Sequence, residues 1–210
     1  MQRVRVFVDF WNFQAGWNDR AGKGSDGRVT ERPDWTRLPV VVVQRAGELL
    51  ATMGTEGPFS LEETIVHASI DKANPDEDRL GKWLSNFLDR QPSFNVRVHE
   101  RRARPASIHC QSCRSETNEC PKCGTRFMRS IEKGVDTALA TDLLTLGFDG
   151  AYDVGLLVSS DADFVPAVRV LLNRGIKIID VAWPDSGHEL KKACWADIDL
   201  AACKPELIRT

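Results

Sequence analysis

The sequence predicts an alternating α/β protein with a parallel sheet and helices packed on both of its faces. Short runs rich in Val, Ile, Leu and Phe recur along the chain, with the length and apolarity of strands buried on both faces. Segments with helical spacing of apolar residues separate these runs, as in βαβ units. One run ends in Asp9, and another is followed after two serines by Asp161 and Asp163, at the edge of the sheet where α/β proteins bind ligands.

The composition is that of an ordinary globular protein. The 210 residues are 42% hydrophobic and 28% charged, enough for one sizeable core and one domain, with room for an appendage. No apolar run approaches the ~20 residues that cross a bilayer. Met1 leads almost directly into the first strand, which leaves no room for a signal peptide. We therefore expect a cytoplasmic protein whose six cysteines are thiols or metal ligands.

The first hundred residues follow the order strand, helix, strand, helix, strand. The predicted strands are Val4–Asp9, Glu63–Ile70 and Phe94–His99, the third nearer the sheet edge. The predicted helices are Thr36–Met53 and a segment from a cap at Asp76 to about Arg90. Residues 14–35, rich in Gly, Asp, Arg and Trp, are predicted to form a loop near the site, with a short helix as the alternative. His67 and His99 lie inside strand patterns and are predicted to be structural.

The second half resumes the alternation after an interruption. Residues 101–130 are polar, basic and cysteine-rich and fit no helix or strand of useful length. The elements predicted after them are a helix at Ile131–Leu146, a strand at Gly155–Val158, a helix at Phe164–Leu172, a strand at Ile176–Val181 and a short helix at Ser186–Trp195. The predicted sheet therefore has five parallel strands.

Two carboxylates stand where the strand at Gly155–Val158 ends and a helix begins, in the stretch V-G-L-L-V-S-S-D-A-D-F. Ser160 or Asp161 can cap that helix, and Asp163 favours its positive end. A cap needs only one side chain, however, and here two acids stand two residues apart. Taken alone, these residues leave the capping and the functional interpretations equally open.

Further acids are expected at the same edge. Asp9 ends the first strand, and Asn12 follows closely enough to hold Asp9 or a ligand. A helix that feeds a parallel strand runs antiparallel to it, so Asp136, near the start of its helix, also reaches this edge. Asp142 lies about 9 Å down that helix and roughly 120° around it. It is a weaker candidate, which a backbone group or an arginine can engage instead.

The acids predict a metal site. Four converging carboxylates repel one another, and divalent cations relieve that repulsion. Ligand sets made only of oxygen select Mg²⁺ or Mn²⁺. The natural reaction of such a site is attack of a metal-activated water on a phosphodiester. The sequence contains no Ser/His/Asp or Cys/His arrangement and no Gly-rich phosphate loop that would compete with this interpretation.

Two C-x2-C pairs predict a second metal. The pairs are Cys110 with Cys113 and Cys120 with Cys123, with six residues between them, and four thiolates suit tetrahedral Zn²⁺. Four cysteines leave no open position on the ion, so we expect a structural zinc ribbon or knuckle. Cys194 and Cys203 have no partner pattern and are predicted to be buried small residues.

The charge is unevenly distributed, although the net charge is only -2. Residues 97–133 hold nine Lys/Arg against four Asp/Glu, whereas the rest of the chain holds 19 against 26. A basic patch on an acidic body favours contact with a polyanion through one face. A solvated charged surface would explain a smaller imbalance equally well.

Three blocks together resemble the NYN family of PIN-like nucleases. They are V-F-V-D-F-W-N (6–12), K-G-V-D-T-A-L-A-T-D (133–142) and L-V-S-S-D-A-D-F-V-P (157–166), in the family's order. The resemblance implies a three-layer α/β/α fold with a five-stranded parallel sheet and metal-dependent ribonuclease activity. By the match, Asp9, Asp136, Asp161 and Asp163 correspond to the metal-binding acids. Asn12 and Ser159 match the family's Asn and Ser, whereas Ser160 replaces a common Gly and could narrow the approach of a phosphate.

Together these observations predict one NYN domain over residues 1–210, with a zinc ribbon inserted at 101–130 outside the family's core pattern. The predicted function is a Mg²⁺- or Mn²⁺-dependent nuclease acting on RNA rather than DNA. Asn12 and Ser159 would orient the metals or a phosphate, and the predicted backbone contacts are Arg101, Arg102, Arg104 and Lys133. The alternative is a non-catalytic RNA-binding or regulatory module. A phosphatase is a third interpretation, disfavoured because its D-x-D after the first strand is here D-F-W.

Overall fold

The protein is built around a six-stranded parallel sheet. The computed structural model describes residues 1–55, 57–131 and 134–209, with only the backbone described at 102, 103, 130 and 131. Within these residues the sheet strands are β1 (Gln2–Asp9), β2 (Phe59–Ile70), β3 (Phe94–Glu100), β8 (Val154–Val158), β9 (Lys177–Ala182) and β10 (Ala196–Asp199). The helices are α1 (Phe10–Arg20), α2 (Leu38–Thr52), α3 (Pro75–Asn86), α4 (Val135–Phe148), α5 (Val165–Leu172), α6 (His188–Ala193) and α7 (Leu200–Leu207). The segment between β3 and α4 holds the short strands β4 (Arg102–Pro105), β5 (Ile108–His109), β6 (Glu116–Thr117) and β7 (Met128–Ile131).

The strand order is β10-β9-β8-β1-β2-β3, and every pair of neighbours is parallel. β1 lies between β8 and β2, so the strand that ends in Asp9 is adjacent to the strand that leads to Asp161. Val8 pairs with Val158, and Asp9 pairs with His67. β3 forms one edge, as the sequence predicts.

Helices cover both faces of the sheet, which confirms the α/β/α class. Val6 and Val8 of β1 belong to a core shared with α1, α2, α3 and α7. Phe7 points to the other face and packs in a core shared with α4, α5 and α6. This alternation buries every second residue of a strand against a different helical layer. None of the described helices combines the length and apolarity that crossing a membrane requires.

The predicted strand count of five is wrong by one. β10 adds a sixth strand beside β9, and α7 follows it directly. β10 is only four residues long, and its sequence A-D-I-D contains one large apolar residue, Ile198. So short and acidic a run gives no strand signal of its own, because pairing with β9 stabilises it.

The loop predicted for residues 14–35 is wrong over its first part, where α1 continues to Arg20. Phe10, Phe13 and Trp17 are buried at helical spacing, and the Asp9 carboxylate caps the helix by accepting from the N–H of Asn12 at 3.2 Å. Gly16 fits this helix because a Cβ there would lie 2.5 Å from the Trp183 indole nitrogen. The short helix left as the alternative is therefore correct.

Several boundaries also differ from the predictions. α3 is capped by Asn74 rather than Asp76 and ends at Asn86, after which Leu88–Arg90 forms a 3₁₀ turn. α5 is preceded by a 3₁₀ turn at Ala162–Phe164. α4 begins at Val135 rather than Ile131, because Met128–Ile131 pairs as a strand. The remaining predicted helices and strands are confirmed to within a few residues.

The segment between β3 and α4 forms two small antiparallel sheets. β4 (Arg102–Pro105) pairs with β7 (Met128–Ile131), and β5 (Ile108–His109) pairs with β6 (Glu116–Thr117). The sequence predicts no strand of useful length here, and these strands have two to four residues. Ile108 and Met128 are each 56% exposed, so this segment has little apolar core to hold it together.

Candidate metal centre

Three of the predicted metal-binding acids meet at the carboxyl edge of the sheet. Ligand oxygens of Asp136, Asp161 and Asp163 all lie within 4.8 Å of one another. Asp136 comes from the first turn of α4, and the other two come from the segment after β8. Asp136 and Asp161 are half-buried and Asp163 is exposed. The described residues therefore present a pocket of carboxylates that remains accessible from solvent.

The segment after β8 is held by a chain of side-chain hydrogen bonds. The Ser159 hydroxyl donates to Oδ2 of Asp9 at 3.3 Å and accepts from the N–H of Asp161 at 3.2 Å. Oδ1 of Asp161 in turn accepts from the N–H of Asp163 at 2.9 Å. Asp161 therefore caps the 3₁₀ turn and also joins the acidic cluster, so the two interpretations open at the sequence level apply to the same residue.

Asp9 lies at the end of β1, next to the segment that carries Asp161. Its side chain is buried at the end of β1, where Oδ1 accepts from the N–H of Asn12 and Oδ2 from Ser159. Through Ser159, Asp9 fixes the backbone that carries Asp161. It is not one of the three residues whose oxygens lie within 4.8 Å of one another, although the sequence groups it with them.

Asn12 binds the backbone beside the cluster. Its Oδ1 accepts from both the N–H and the hydroxyl of Ser160, each at 2.9 Å. The hydroxyl of Ser160 is thus turned towards Asn12. A Cβ at Gly187 would lie 3.0 Å from the Ser160 Cα, so the chain before α6 packs closely against this turn. No sequence pattern indicates Ser160 as the partner of Asn12.

The backbone before α4 places Asp136. Gly134 is the N-cap residue of α4 with φ 82°, a left-handed conformation that favours glycine. Leu139 and Leu143 of α4 are buried against the sheet, which fixes the helix that carries Asp136. A carboxylate in the first turn of a helix is also favoured by the helix dipole.

Asp142 does not join the cluster but belongs to a separate network, in which Asp142 and His67 are buried and Arg97 is exposed. It binds Nε2 of His67 at 2.8 Å and the Arg97 guanidinium at 2.6 Å. Nδ1 of His67 contacts Nε2 of His99 at 3.1 Å, and the two rings stack. Burial lowers the pKa of His67, against the opposing effect of Asp142. Of the two roles that the sequence left open for Asp142, the structure shows the pairing with an arginine.

The four insert cysteines occupy two tight turns. The N–H of Arg114 donates to the carbonyl of Cys110 at 2.9 Å, and that of Gly124 to the carbonyl of Cys120 at 2.8 Å. Hydrogen bonds from Ser115, and then from Cys110, lower the pKa of the Cys113 thiol to about 7. Thr125 and then Cys120 similarly lower the pKa of Cys123. Each turn thus favours thiolate, the form that binds metal.

No three of the four insert cysteine sulfurs lie within 4.8 Å of one another. Among the described residues, one group of three or more possible metal ligands has its ligand atoms within 4.8 Å of one another. That group consists of the three aspartates and contains no cysteine. The sulfur chemistry fits zinc, which takes four thiolates. Cys203 is buried as predicted, Cys194 is half-buried, and burial raises the pKa of both thiols.

The predicted phosphate-contacting cations differ in their surroundings. The Arg101 guanidinium pairs with Glu77 and lies 5.4 Å from the centre of the Trp11 ring, leaving 20% of the side chain exposed. Trp11 is itself held by a hydrogen bond of 2.6 Å from its indole N–H to the carbonyl of Ser69. Arg104 is exposed. The side chain of Arg102 and all of Lys133 lie outside the described residues.

An α/β/α sandwich with acids gathered at the carboxyl edge of a parallel sheet is the architecture of PIN-like, nuclease-type proteins. The NYN domain family model matches residues 3–200, and the chain belongs to that family. Membership indicates a nuclease-type function with nucleic acid as the substrate.

A solved structure supports the fold. The crystal structure of a protein of unknown function from Vibrio parahaemolyticus matches with a TM-score of 0.54 and 15% identity, covering 95% of this chain and 93% of that chain. At that identity the likeness shows the fold alone. No curated protein matches the sequence.

Proposed function

We propose that the protein is a nuclease that hydrolyses phosphodiester bonds of RNA with Mg²⁺ or Mn²⁺ at the acidic cluster. The observation that carries the proposal is the convergence of Asp136, Asp161 and Asp163 within 4.8 Å. Three carboxylates at that separation repel one another, and a divalent cation offsets the repulsion. In this proposal Asp9 is the fourth metal-binding acid, and Asn12 and Ser159 hold the surrounding backbone.

The donor set supports a hard cation. Every ligand offered by the cluster is a carboxylate oxygen, which suits Mg²⁺ or Mn²⁺ rather than Zn²⁺ or Cu²⁺. When bound, such an ion supplies a nucleophile at neutral pH and stabilises the charge that develops on the phosphate. The residues of the chain supply the preorganisation, because the Asp9–Ser159–Asp161 chain of hydrogen bonds fixes the acids before substrate binds.

The cysteine insert is proposed to be a zinc-bound ribbon that holds the RNA strand next to the cluster. Cys110, Cys113, Cys120 and Cys123 would bind one structural zinc. The proposed domain organisation is therefore a single NYN domain over residues 1–210 with the ribbon at 101–130. We place the protein in the cytoplasm, where such thiols remain reduced.

Two arginines of the ribbon are the best-placed phosphate contacts. Arg104 on β4 pairs in register with Arg129 on β7, and both side chains are exposed. Like charges directly opposite each other on an antiparallel ladder are destabilising. A phosphate backbone bound across them would relieve this repulsion. Arg101, held by Glu77 and Trp11, is a weaker candidate than the sequence suggests.

We expect Arg104→Ala/Arg129→Ala to weaken RNA binding and to flatten its dependence on salt. The log–log slope should fall by ~0.7 for each lost single-strand phosphate contact. Turnover at saturating RNA should stay unchanged, because the lost contacts stabilise the bound substrate and the transition state equally. The measurement is fluorescence anisotropy over a salt series, with Arg90→Ala/Arg174→Ala as the control. An unchanged slope with lowered turnover would contradict the assignment.

The nuclease assignment is tested with defined single-stranded and structured RNA and DNA. We expect cleavage of RNA with Mn²⁺, loss of cleavage with EDTA, and slower cleavage of DNA. The alternative is a non-catalytic RNA-binding or regulatory module that retains the acids. Binding of RNA without cleavage under every metal condition would establish that alternative and overturn the nuclease.

A further inference from the structure

A second pocket lies on the helical face opposite α4. It is a cavity of about 590 Å³ between α1, the segment before α2, α3 and the last residues of the chain. Its lining includes Gln14, Asn18, Arg32, Trp35, Trp83 and Arg209. We propose that this pocket binds one nucleotide of a single-stranded nucleic acid, with phosphate at the arginines and base at the Trp83 indole and the amides. The proposal rests on the proposed function only in taking that strand to be the nuclease substrate.

Two arginines are held side by side at the pocket. The N–H of Arg209 donates to the carbonyl of Arg32 at 2.9 Å, and a backbone bridge joins Pro33 to Ile208. Both arginine side chains are exposed, and neither forms an ion pair with any carboxylate of the described residues. Two adjacent cations without a counter-charge favour binding of an anion.

The acid in the pocket lining already has a cationic partner. Glu31 pairs with Nζ of Lys204 at 2.7 Å, and this bond lowers the pKa of Glu31. Arg28, also in the lining, lies 3.5 Å from the exposed Asp26. Arg32 and Arg209 therefore remain the cations available to a phosphate, which a guanidinium binds in bidentate fashion.

The rest of the lining suits a base. Nε2 of Gln14 donates to Oδ1 of Asn18 at 2.8 Å, which leaves the Gln14 oxygen as an acceptor and the Asn18 nitrogen as a donor. Trp83 is half-buried, whereas Trp35 is buried and stacked on Phe10 with ring centres 4.8 Å apart, so Trp83 is the indole available to a base. Single-stranded bases are recognised by stacking on aromatic rings and by hydrogen bonds to their edges. An acidic peptide or free phosphate would bind the arginines but would make no use of the aromatic and amide side chains of the lining.

The pocket is connected to the metal centre through α1. Trp11, Gln14 and Asn18 follow one another at i, i+3 and i+7, so they lie on one face of that helix. Asn12 binds the turn beside the acids, and Asn18 lies about 9 Å further along the axis. A strand held at the cluster can therefore place a nearby nucleotide in the pocket.

The test is binding of a short fluorescein-labelled single-stranded oligoribonucleotide, measured by anisotropy with EDTA present so that no cleavage occurs. We expect Arg32→Ala/Arg209→Ala to weaken binding by about tenfold, the scale of one lost base and phosphate contact. Trp83→Ala should weaken it similarly, and Trp83→Phe, which keeps an aromatic face, should recover most of the loss. Arg90→Ala/Arg174→Ala removes two exposed arginines outside the pocket and should bind like the parent.

Competition identifies the ligand. AMP should displace the oligonucleotide from the parent but only weakly from Arg32→Ala/Arg209→Ala, whereas a glutamate peptide should displace it from neither. AMP binding as tightly as the oligonucleotide would contradict the assignment to a single-stranded nucleic acid and would make a free nucleotide the ligand of the same pocket. Unchanged affinity in the arginine variant, or equal competition by the glutamate peptide, would overturn the proposal. The binding assay does not depend on cleavage. If the arginine variant loses binding although the parent protein cleaves no RNA, the pocket assignment holds and only the nuclease assignment fails.

Discussion

Asp161→Asn should lower the rate of metal-dependent RNA cleavage by about two orders of magnitude or more, while the fold survives. The substitution removes a negative charge from the cluster of three acids. Asparagine keeps the oxygen that accepts the N–H of Asp163, so the cap of the 3₁₀ turn is retained. Single-turnover cleavage of RNA with Mn²⁺ measures the effect, and thermal unfolding checks the fold.

Asp199→Asn is the matched control. Asp199 caps α7 by accepting from the N–H of Ala201 at 2.7 Å, as Asp161 caps its turn, but it lies two strands away from β8. This variant should cleave like the parent. Asp142→Asn is a second comparison, which should lower stability more than cleavage because Asp142 binds His67 and Arg97. Cleavage by Asp161→Asn at the parental rate would contradict the assignment, and equal loss of activity at positions 142 and 161 would contradict the ranking.

The position of the acids could be predicted because parallel strands share one carboxyl edge. Asp9 and Asp161 each follow an apolar run, and the direction of α4 brings Asp136 to the same edge. These inferences need only the order and direction of the elements. How close the oxygens come to one another depends on hydrogen bonds such as Ser159 to Asp9, which no sequence pattern specifies.

Elements stabilised by tertiary contacts were harder to predict. The second half of α1 contains Gly16 and several polar residues, and its helical form depends on Phe10, Phe13 and Trp17 packing into the core. β10 has one buried apolar residue and exists because it pairs with β9. In both segments local propensity is weak and burial decides the structure.

Contacts between residues that are far apart along the chain could not be predicted from the sequence. Asp142 meets His67 and Arg97 because the register of β2 and β3 places those residues beneath one side of α4. The second pocket likewise depends on the C-terminal segment pairing with the chain before α2, which brings Arg209 beside Arg32. Neither juxtaposition follows from spacing, because the partners are separated by many residues and belong to different elements.

Protein purified without added metal should contain about one zinc per chain, bound by the insert cysteines. The insert has only short strands, and two of its large apolar side chains, Ile108 and Met128, are more than half exposed. Its folding free energy must therefore come largely from the metal. Elemental analysis measures the zinc, and less than about half a zinc per chain would count against the assignment.

Cys110→Ser should abolish this zinc and unfold the insert while leaving the six-stranded sheet intact. The sheet has its own two cores, to which the cysteines of the insert do not contribute. Limited proteolysis should then cut between β3 and α4, while the thermal unfolding of the remainder changes little. Cys194→Ser, a substitution outside the insert, should keep the zinc, and so should Asp161→Asn. Retention of full zinc by Cys110→Ser, or its loss in Asp161→Asn, would show that the metal is bound elsewhere.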